Sequence, residues 1–112
     1  MNEPDTRHQL IDPVLHAAGW ETAPVHFTAE FVIAPGQVTP DPHCRRPLRA
    51  DYLLLHGKDP LAVIEAKADG KPHDEGEPQA RLDAEKLQLR FAFATNGHRV
   101  LWIDRTAGTS RT

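Results

Sequence analysis

Apolar residues in the opening segment, TRHQLIDPVLHAAGW, recur at Leu10, Ile11, Val14, Leu15 and Ala18, in steps of one, three, one and three. That spacing lines one face of a helix of about 3.6 residues per turn. Asp5 or Thr6 is placed to cap its start and Gly19 to stop it, while Pro13 either kinks it or marks the first turn of a shorter helix. The next stretch, VHFTAEFVIAPG, alternates loosely and breaks at Pro35-Gly36, which predicts a strand. QVTPDPHCRRP, with three prolines, predicts an irregular connection. ADYLLLH and LAVIEAK then read as two strands joined through Gly57-Lys58-Asp59-Pro60, a hairpin. A second polar loop, ADGKPHDEGEP, precedes QARLDAEKLQLRFAF, where Ala80, Ala84, Leu87 and Phe91 share one helical face. HRVLWID closes the pattern as a strand after the turn Asn96-Gly97, and residues 106–112 read as a polar tail with no pattern of its own. The order helix, three strands, helix, strand predicts a small α/β domain over residues 1–105.

Composition narrows the class without changing that picture. A chain of 112 residues with 39% hydrophobic and 26% charged residues suits one soluble domain with one core. No apolar run approaches the roughly 20 residues of a membrane span, and MNEPDTRHQL lacks the basic and apolar regions of a signal peptide, so the expected location is the cytoplasm. Cys44 is the single cysteine, which excludes an internal disulfide and a cysteine-based zinc framework. The net charge of −3 argues against a domain that binds nucleic acid through a basic surface all over. Arg45, Arg46 and Arg49 form a local basic cluster, either a solvated loop or a phosphate contact. Trp20 and Trp102 lack interleaved basic residues and read as core or rim aromatics.

The chemistry gathers on the hairpin. If His56 to Pro60 form its connection, Leu55 pairs with Leu61, residue numbers across the ladder sum to 116, and Asp51 faces Glu65. Strand side chains alternate, so Lys67 shares the face of Glu65. Two carboxylates a few ångströms apart repel unless a cation lies between them, and hard oxygen ligands suit Mg²⁺ or Mn²⁺. A lysine beside them can orient water and stabilise charge developing on a phosphate. The plainer alternative is a strand cap at Asp51 and an exposed Glu65–Lys67 pair worth at most about 1 kcal/mol. Against it, Glu65 and Lys67 end a strongly apolar strand rather than a loop.

DTRHQLIDPVLHAAGW, RADYLLLHGKDPLAVIEAKA, QARLDAEKL and FATNGHRVLWID, taken in that order, resemble the N-terminal nuclease domain of the type I restriction enzyme R subunit, a branch of the PD-(D/E)XK nuclease superfamily. The resemblance covers nearly the whole chain. It implies a restriction-endonuclease-like α/β fold, a central mixed β-sheet flanked by helices, and a magnesium-dependent DNA endonuclease in which Mn²⁺ can substitute. Asp51 and Glu65 resemble the metal-binding carboxylates and Lys67 the catalytic lysine. Gln79 matches the glutamine of the family's Gln-x-x-x-Tyr motif, close to the lysine and DNA, but Asp83 stands in the tyrosine's place. A solvated helical face is the alternative for both Gln79 and Asp83, and the favoured one for Asp83. Glu3 corresponds to an acidic residue that can approach the metal, or is simply a first-turn carboxylate favoured by the helix dipole. Gln79, Arg45, Arg46 and Arg49 are the candidate DNA contacts.

Double-stranded DNA is the implied partner, with translocase, methylation and specificity subunits where the domain works in a type I complex. No G-x-x-x-x-G-K-[ST] loop occurs, so ATP is not expected to bind this domain. Two rivals remain at the level of sequence. One is a catalytically silent DNA-binding or docking module of the same fold; the other is a nuclease of repair or Holliday-junction type, which would favour a homodimer.

Overall fold

The structure, a computed structural model, describes residues 1–34 and 48–112. Arg45, Arg46, His43 and Cys44 lie outside the described residues, so the proposed basic loop contacts fall there too, apart from Arg49.

The N-terminal helix is continuous through Glu3–Thr6, Arg7–Ile11 and Asp12–Ala17, the middle segment being a wider π turn in which Asp12 N–H bonds back to the Arg7 carbonyl. Pro13 explains that widening. Its ring would clash with the carbonyl four residues back in a regular helix and it offers no N–H, so the backbone loosens ahead of it. The cap is Asn2, whose side chain accepts from Asp5 N–H at 2.9 Å, and not Asp5 or Thr6. Pro4 occupies the first turn, where its missing N–H costs nothing, which moves the helix start upstream. Gly19, at φ 90°, ends the helix as expected.

Among the described residues six strands form one sheet in sequence order: β1 (Val25–Ala34), β2 (Leu48–His56), β3 (Asp59–Ala66), β4 (Phe91–Thr95), β5 (Val100–Asp104) and β6 (Thr109–Arg111). Only β3 and β4 are parallel, so the second helix, Glu77–Leu87, is the crossover between them. This is a mixed α/β sheet with helices, as the sequence predicts.

Two strands depart from the sequence reading. FAFAT is strand β4 and not the end of the second helix, because Gln88 adopts the left-handed conformation (φ 57°) and stops the helix at Leu87 without a glycine. Phe91 therefore faces the N-terminal helix side of the sheet rather than a helical stripe. Residues 109–111, read as polar tail, pair with β5 from Trp102 to Asp104. Their side chains are all exposed, which is why an edge strand left no hydrophobic pattern.

The hairpin register holds where it matters. Tyr52–Ile64, Leu53–Val63 and Leu54–Ala62 all sum to 116, but Leu55 pairs with Pro60 and not Leu61, since the turn is tighter than five residues and a bulge at Leu61 absorbs the difference. The two faces of the sheet carry separate cores. Ala80 and Ala84 of the second helix pack on Leu53, Val63, Ala92, Ala94 and Ile103, small residues that let the helix approach the strands closely. Ile11 and Leu15 of the N-terminal helix pack on Tyr52, Leu54, Ala62 and Ile64 across the other face.

Candidate functional site

Asp51 and Glu65 meet at the open end of the β2–β3 hairpin. Asp51 Oδ2 accepts the Ala66 N–H at 2.8 Å, which locks the carboxylate beside β3, close enough to Glu65 to raise its pKa. Glu65 is 6% exposed, an unusual position for a glutamate at the end of an apolar strand. Lys67 N–H bonds to the Thr95 carbonyl at 2.9 Å, so the strand end carrying the lysine is pinned to β4. Gly76, at the start of the second helix, leaves room for both side chains: a Cβ there would stand 3.3 Å from Glu65 Cβ and 3.6 Å from Lys67 Cε. Sequence reasoning passed over Gly76, and only the fold reveals it.

Asp83 is the main correction. It is wholly buried, not part of a solvated face, because residues 80, 83 and 84 form the side of the helix that meets the sheet. Gln79 Nε2 donates to Asp83 Oδ1 at 2.7 Å, tying Gln79 to the cluster one turn away. Among the described residues Asp83 Oδ2 has no donor, and the Glu65 carboxyl perturbs the same side chain. Two carboxylates so placed are both acceptors; either a proton or a cation must join them. Burial, then hydrogen bonding to Asp51, then the Asp51 charge push the Glu65 pKa far above the ordinary carboxylate range, with Asp83 adding to the effect. Burial also raises Asp83, against the opposing hydrogen bonds from Glu65 and Gln79. Without a cation, burial and mutual repulsion therefore favour a proton held within the Glu65–Asp83 pair.

The N-terminal helix brings two more charges. Glu3 is half-buried beside Asp51, and burial followed by repulsion from Asp51 raises its pKa, while Lys67 and Arg7 pull the other way. The helix start thus reaches the cluster, as one of the two sequence readings requires. Arg7, one turn on, places Nη1 3.9 Å from Asp51 Oδ1 and donates from Nη2 to Glu30 at 3.0 Å. Arg7 was missed in the sequence, although its i, i+4 spacing from Glu3 sets both on one helix face. Thr6, fully buried between them, accepts the Asp69 N–H at 3.0 Å and so fixes the helix to the loop after β3. Arg49 is exposed on β2 and contributes positive charge near Glu30.

The donor set suits a hard divalent cation. Four carboxyl groups, from Glu3, Asp51, Glu65 and Asp83, face two cationic side chains, and the orphaned Asp83 oxygen marks negative charge that the protein leaves uncompensated. Among the described residues, no group of three His, Cys, Asp or Glu side chains is placed to hold a metal ion by itself. Mg²⁺ commonly binds through one or two carboxylates and completes its shell with water and phosphate, which such an open arrangement allows.

Comparison with known proteins agrees with this architecture. The family model described as type I restriction enzyme R protein N terminus matches residues 24–111. The type I restriction enzyme EcoAI endonuclease subunit of Escherichia coli is 34% identical over 118 residues, covering 96% of this chain and 14% of that subunit. A solved fragment of a protein described as an HsdR subunit of a type I restriction enzyme from Vibrio vulnificus YJ016 superposes with a TM-score of 0.90 at 38% identity, over 99% of this chain and 22% of that one. The fold is therefore restriction-endonuclease-like, and the chain spans a small part of the relatives it matches. It belongs to the family of type I restriction enzyme R protein N termini.

Proposed function

We propose that this chain is a metal-dependent DNA endonuclease module that hydrolyses phosphodiester bonds. The observation that carries the reading is the convergence of Asp51, Glu65 and Lys67 at one strand end, backed by the buried, donorless oxygen of Asp83. Asp51 and Glu65 would hold a divalent ion, Mg²⁺ or Mn²⁺, with Glu3 near enough to assist. When bound, such an ion supplies Lewis-acid polarisation of the phosphate and a more acidic water.

Each remaining role follows from placement. The Ala66 N–H holds Asp51 in one orientation, so less ordering is required when a ligand arrives. The ammonium of Lys67 can orient the attacking water and offset charge growing on the phosphoryl oxygens. Asp83, braced by Gln79, adds negative charge behind Glu65 and favours cation entry at the cost of a proton. Gln79 acts on the site through Asp83 and not as an isolated surface group. Within a complete R subunit the module would receive DNA from translocase domains, with methylation and specificity subunits selecting the target; ATP has no place in this chain's own site.

The first test is metal binding, since it depends least on partners. Mn²⁺ titrated into the purified domain by calorimetry is expected to bind, and to lose that binding in Asp51→Ala and Glu65→Ala variants whose folding circular dichroism verifies. A wild-type domain that takes up no Mn²⁺ would overturn the nuclease reading in favour of a silent docking module.

A further inference from the structure

A guanidinium has five N–H donors and keeps its charge at any accessible pH. Among the described residues, Arg7 has one hydrogen-bond acceptor, Glu30. Its Nη2 bonds to Glu30, its Nη1 stands 3.9 Å from Asp51 Oδ1, beyond hydrogen-bond range, and its Nε is buried with no partner. The side chain is only 14% exposed. Burying a charged donor group without acceptors is costly, and an anion arriving from outside would remove that cost.

Glu30, the one strong partner, is held in an unusual way. It adopts φ 55°, the left-handed region that a non-glycine residue rarely enters, in the middle of β1. The β1–β2 pairing runs from Ala29–Tyr52 to Phe31–Ala50 and passes over Glu30 and Asp51, so the distortion sits directly across from the candidate metal ligand. Backbone strain persists where the surroundings impose it, and it gathers at ligand sites. The Glu30 carboxylate is itself 60% exposed. An exposed ion pair of this kind is weak and readily exchanged for another anion. On the other side of Arg7, His8, Asp12 and Tyr52 complete a small cleft, but there the Tyr52 hydroxyl donates to Asp12 and His8 lies 3.4 Å from it, so Arg7 and Glu30 are the pair left open.

We propose that Arg7 clamps a phosphate of the DNA backbone beside the metal site, and that Glu30 stands in for that phosphate while DNA is absent. The inference rests on the nuclease reading of Asp51 and Glu65 and adds the residue that grips the strand. A planar fork matches the oxygens of a phosphodiester as it matches a carboxylate, which is why one can replace the other. Arg49, exposed on β2, also exerts its charge on Glu30 and would extend the contact along the strand.

The two residues should respond in opposite directions. Binding of a short fluorescent duplex to the whole chain would be followed by anisotropy across a salt series, with Ca²⁺ replacing Mg²⁺. Arg7→Ala should weaken binding about tenfold and flatten the slope of log affinity against log salt by about one. Arg7→Lys, which keeps the charge and loses the fork, should fall between, and Glu30→Gln should tighten binding about threefold. If Arg7 merely anchors the helix through its ion pairs, Glu30→Gln instead leaves binding unchanged or weakens it, and that result overturns the clamp. So does a wild-type domain that does not bind the duplex, or an Arg7→Ala variant with unaltered affinity and slope. Should Arg7→Ala fail to fold, Arg7→Lys and Glu30→Gln decide alone. Mn²⁺ calorimetry on the same samples separates the two readings: intact metal binding with an unresponsive Arg7 removes only the clamp, whereas absent metal binding in the wild type removes the nuclease.

Discussion

Asp83 shows how one buried atom alters what a site can do. Among the described residues its Oδ2 has no donor, and the side chain is coupled to another carboxyl, that of Glu65. Asp83→Asn keeps the shape, removes a charge, and supplies an N–H for Glu65. At pH 8 the metal-free variant should therefore be more stable than the wild type by roughly 1–3 kcal/mol, the usual cost of an unsatisfied buried group, while its Mn²⁺ affinity falls. Urea midpoints and calorimetry would read the two effects, and a variant that loses stability and keeps its metal affinity would refute this account of Asp83. Lys67→Ala is the complementary change. It leaves the carboxylates in place, so Mn²⁺ binding should survive while metal-dependent cleavage by the assembled enzyme falls at least about a hundredfold, as when one stabilising donor is lost. Full cleavage by that variant would exclude the lysine from the chemistry.

At the level of elements, the site depends on small residues that let neighbours come close. Gly97 has φ 88°, and a Cβ there would lie 2.8 Å from Leu10 Cδ1 and 3.1 Å from Thr6 Cγ2 on the N-terminal helix. Gly97→Ala should strain the turn and push back the helix that carries Glu3 and Arg7, costing roughly 1–3 kcal/mol of stability. Gly76→Leu should instead displace Glu65 and Lys67, with metal affinity lost before the fold; a Gly76→Leu domain that binds Mn²⁺ as the wild type does would show that the space beside Gly76 is not needed. The sequence disclosed much of this frame and missed parts of it for identifiable reasons. The Leu10 to Ala18 stripe and the alternation of ADYLLLH were legible because each buries one face against a single core. The register sum of 116 survived at Tyr52–Ile64 because a tighter turn and a bulge compensated one another. β4 was missed because four of the five residues of FAFAT are alanine or phenylalanine, which a helix also accommodates, and the break at Gln88 uses no glycine. Asp51, Glu65 and Lys67 were readable from strand alternation, whereas the burial of Asp83 depends on how the crossover helix is rotated against the sheet, which no local pattern encodes.

For the whole molecule, the acidic cluster ties stability to pH and, in the proposed reading, to metal. Glu65 and Asp83 have folded-state pKa values raised above their unfolded ones. A raised acid contributes stability that is full below the unfolded value, about 4 to 4.5, and is lost as pH climbs toward the folded value. The metal-free domain should thus melt at progressively lower temperature from pH 5.5 to pH 8, by up to about 1.4 kcal/mol per pH unit for each proton retained only in the folded state. The opposite trend comes from Asp69 and Asp104, whose pKa values are lowered, the first by a hydrogen bond from the chain's amino group and the second by one from Arg90. Their contribution is present above about pH 4 and is lost only in acid, outside this window. A cation entering the cluster competes with the proton that the Glu65–Asp83 pair favours, so Mn²⁺ should raise the melting temperature more at pH 8 than at pH 5.5. Glu65→Gln should flatten both dependences, since it removes one carboxyl of the coupled pair and a proposed ligand together. Thermal melts of the two proteins at both pH values, with and without Mn²⁺, would decide the matter: a wild-type Tm that rises with pH in the absence of metal would mean that the cluster is already neutralised from within, and that a cation has no vacancy of charge to fill.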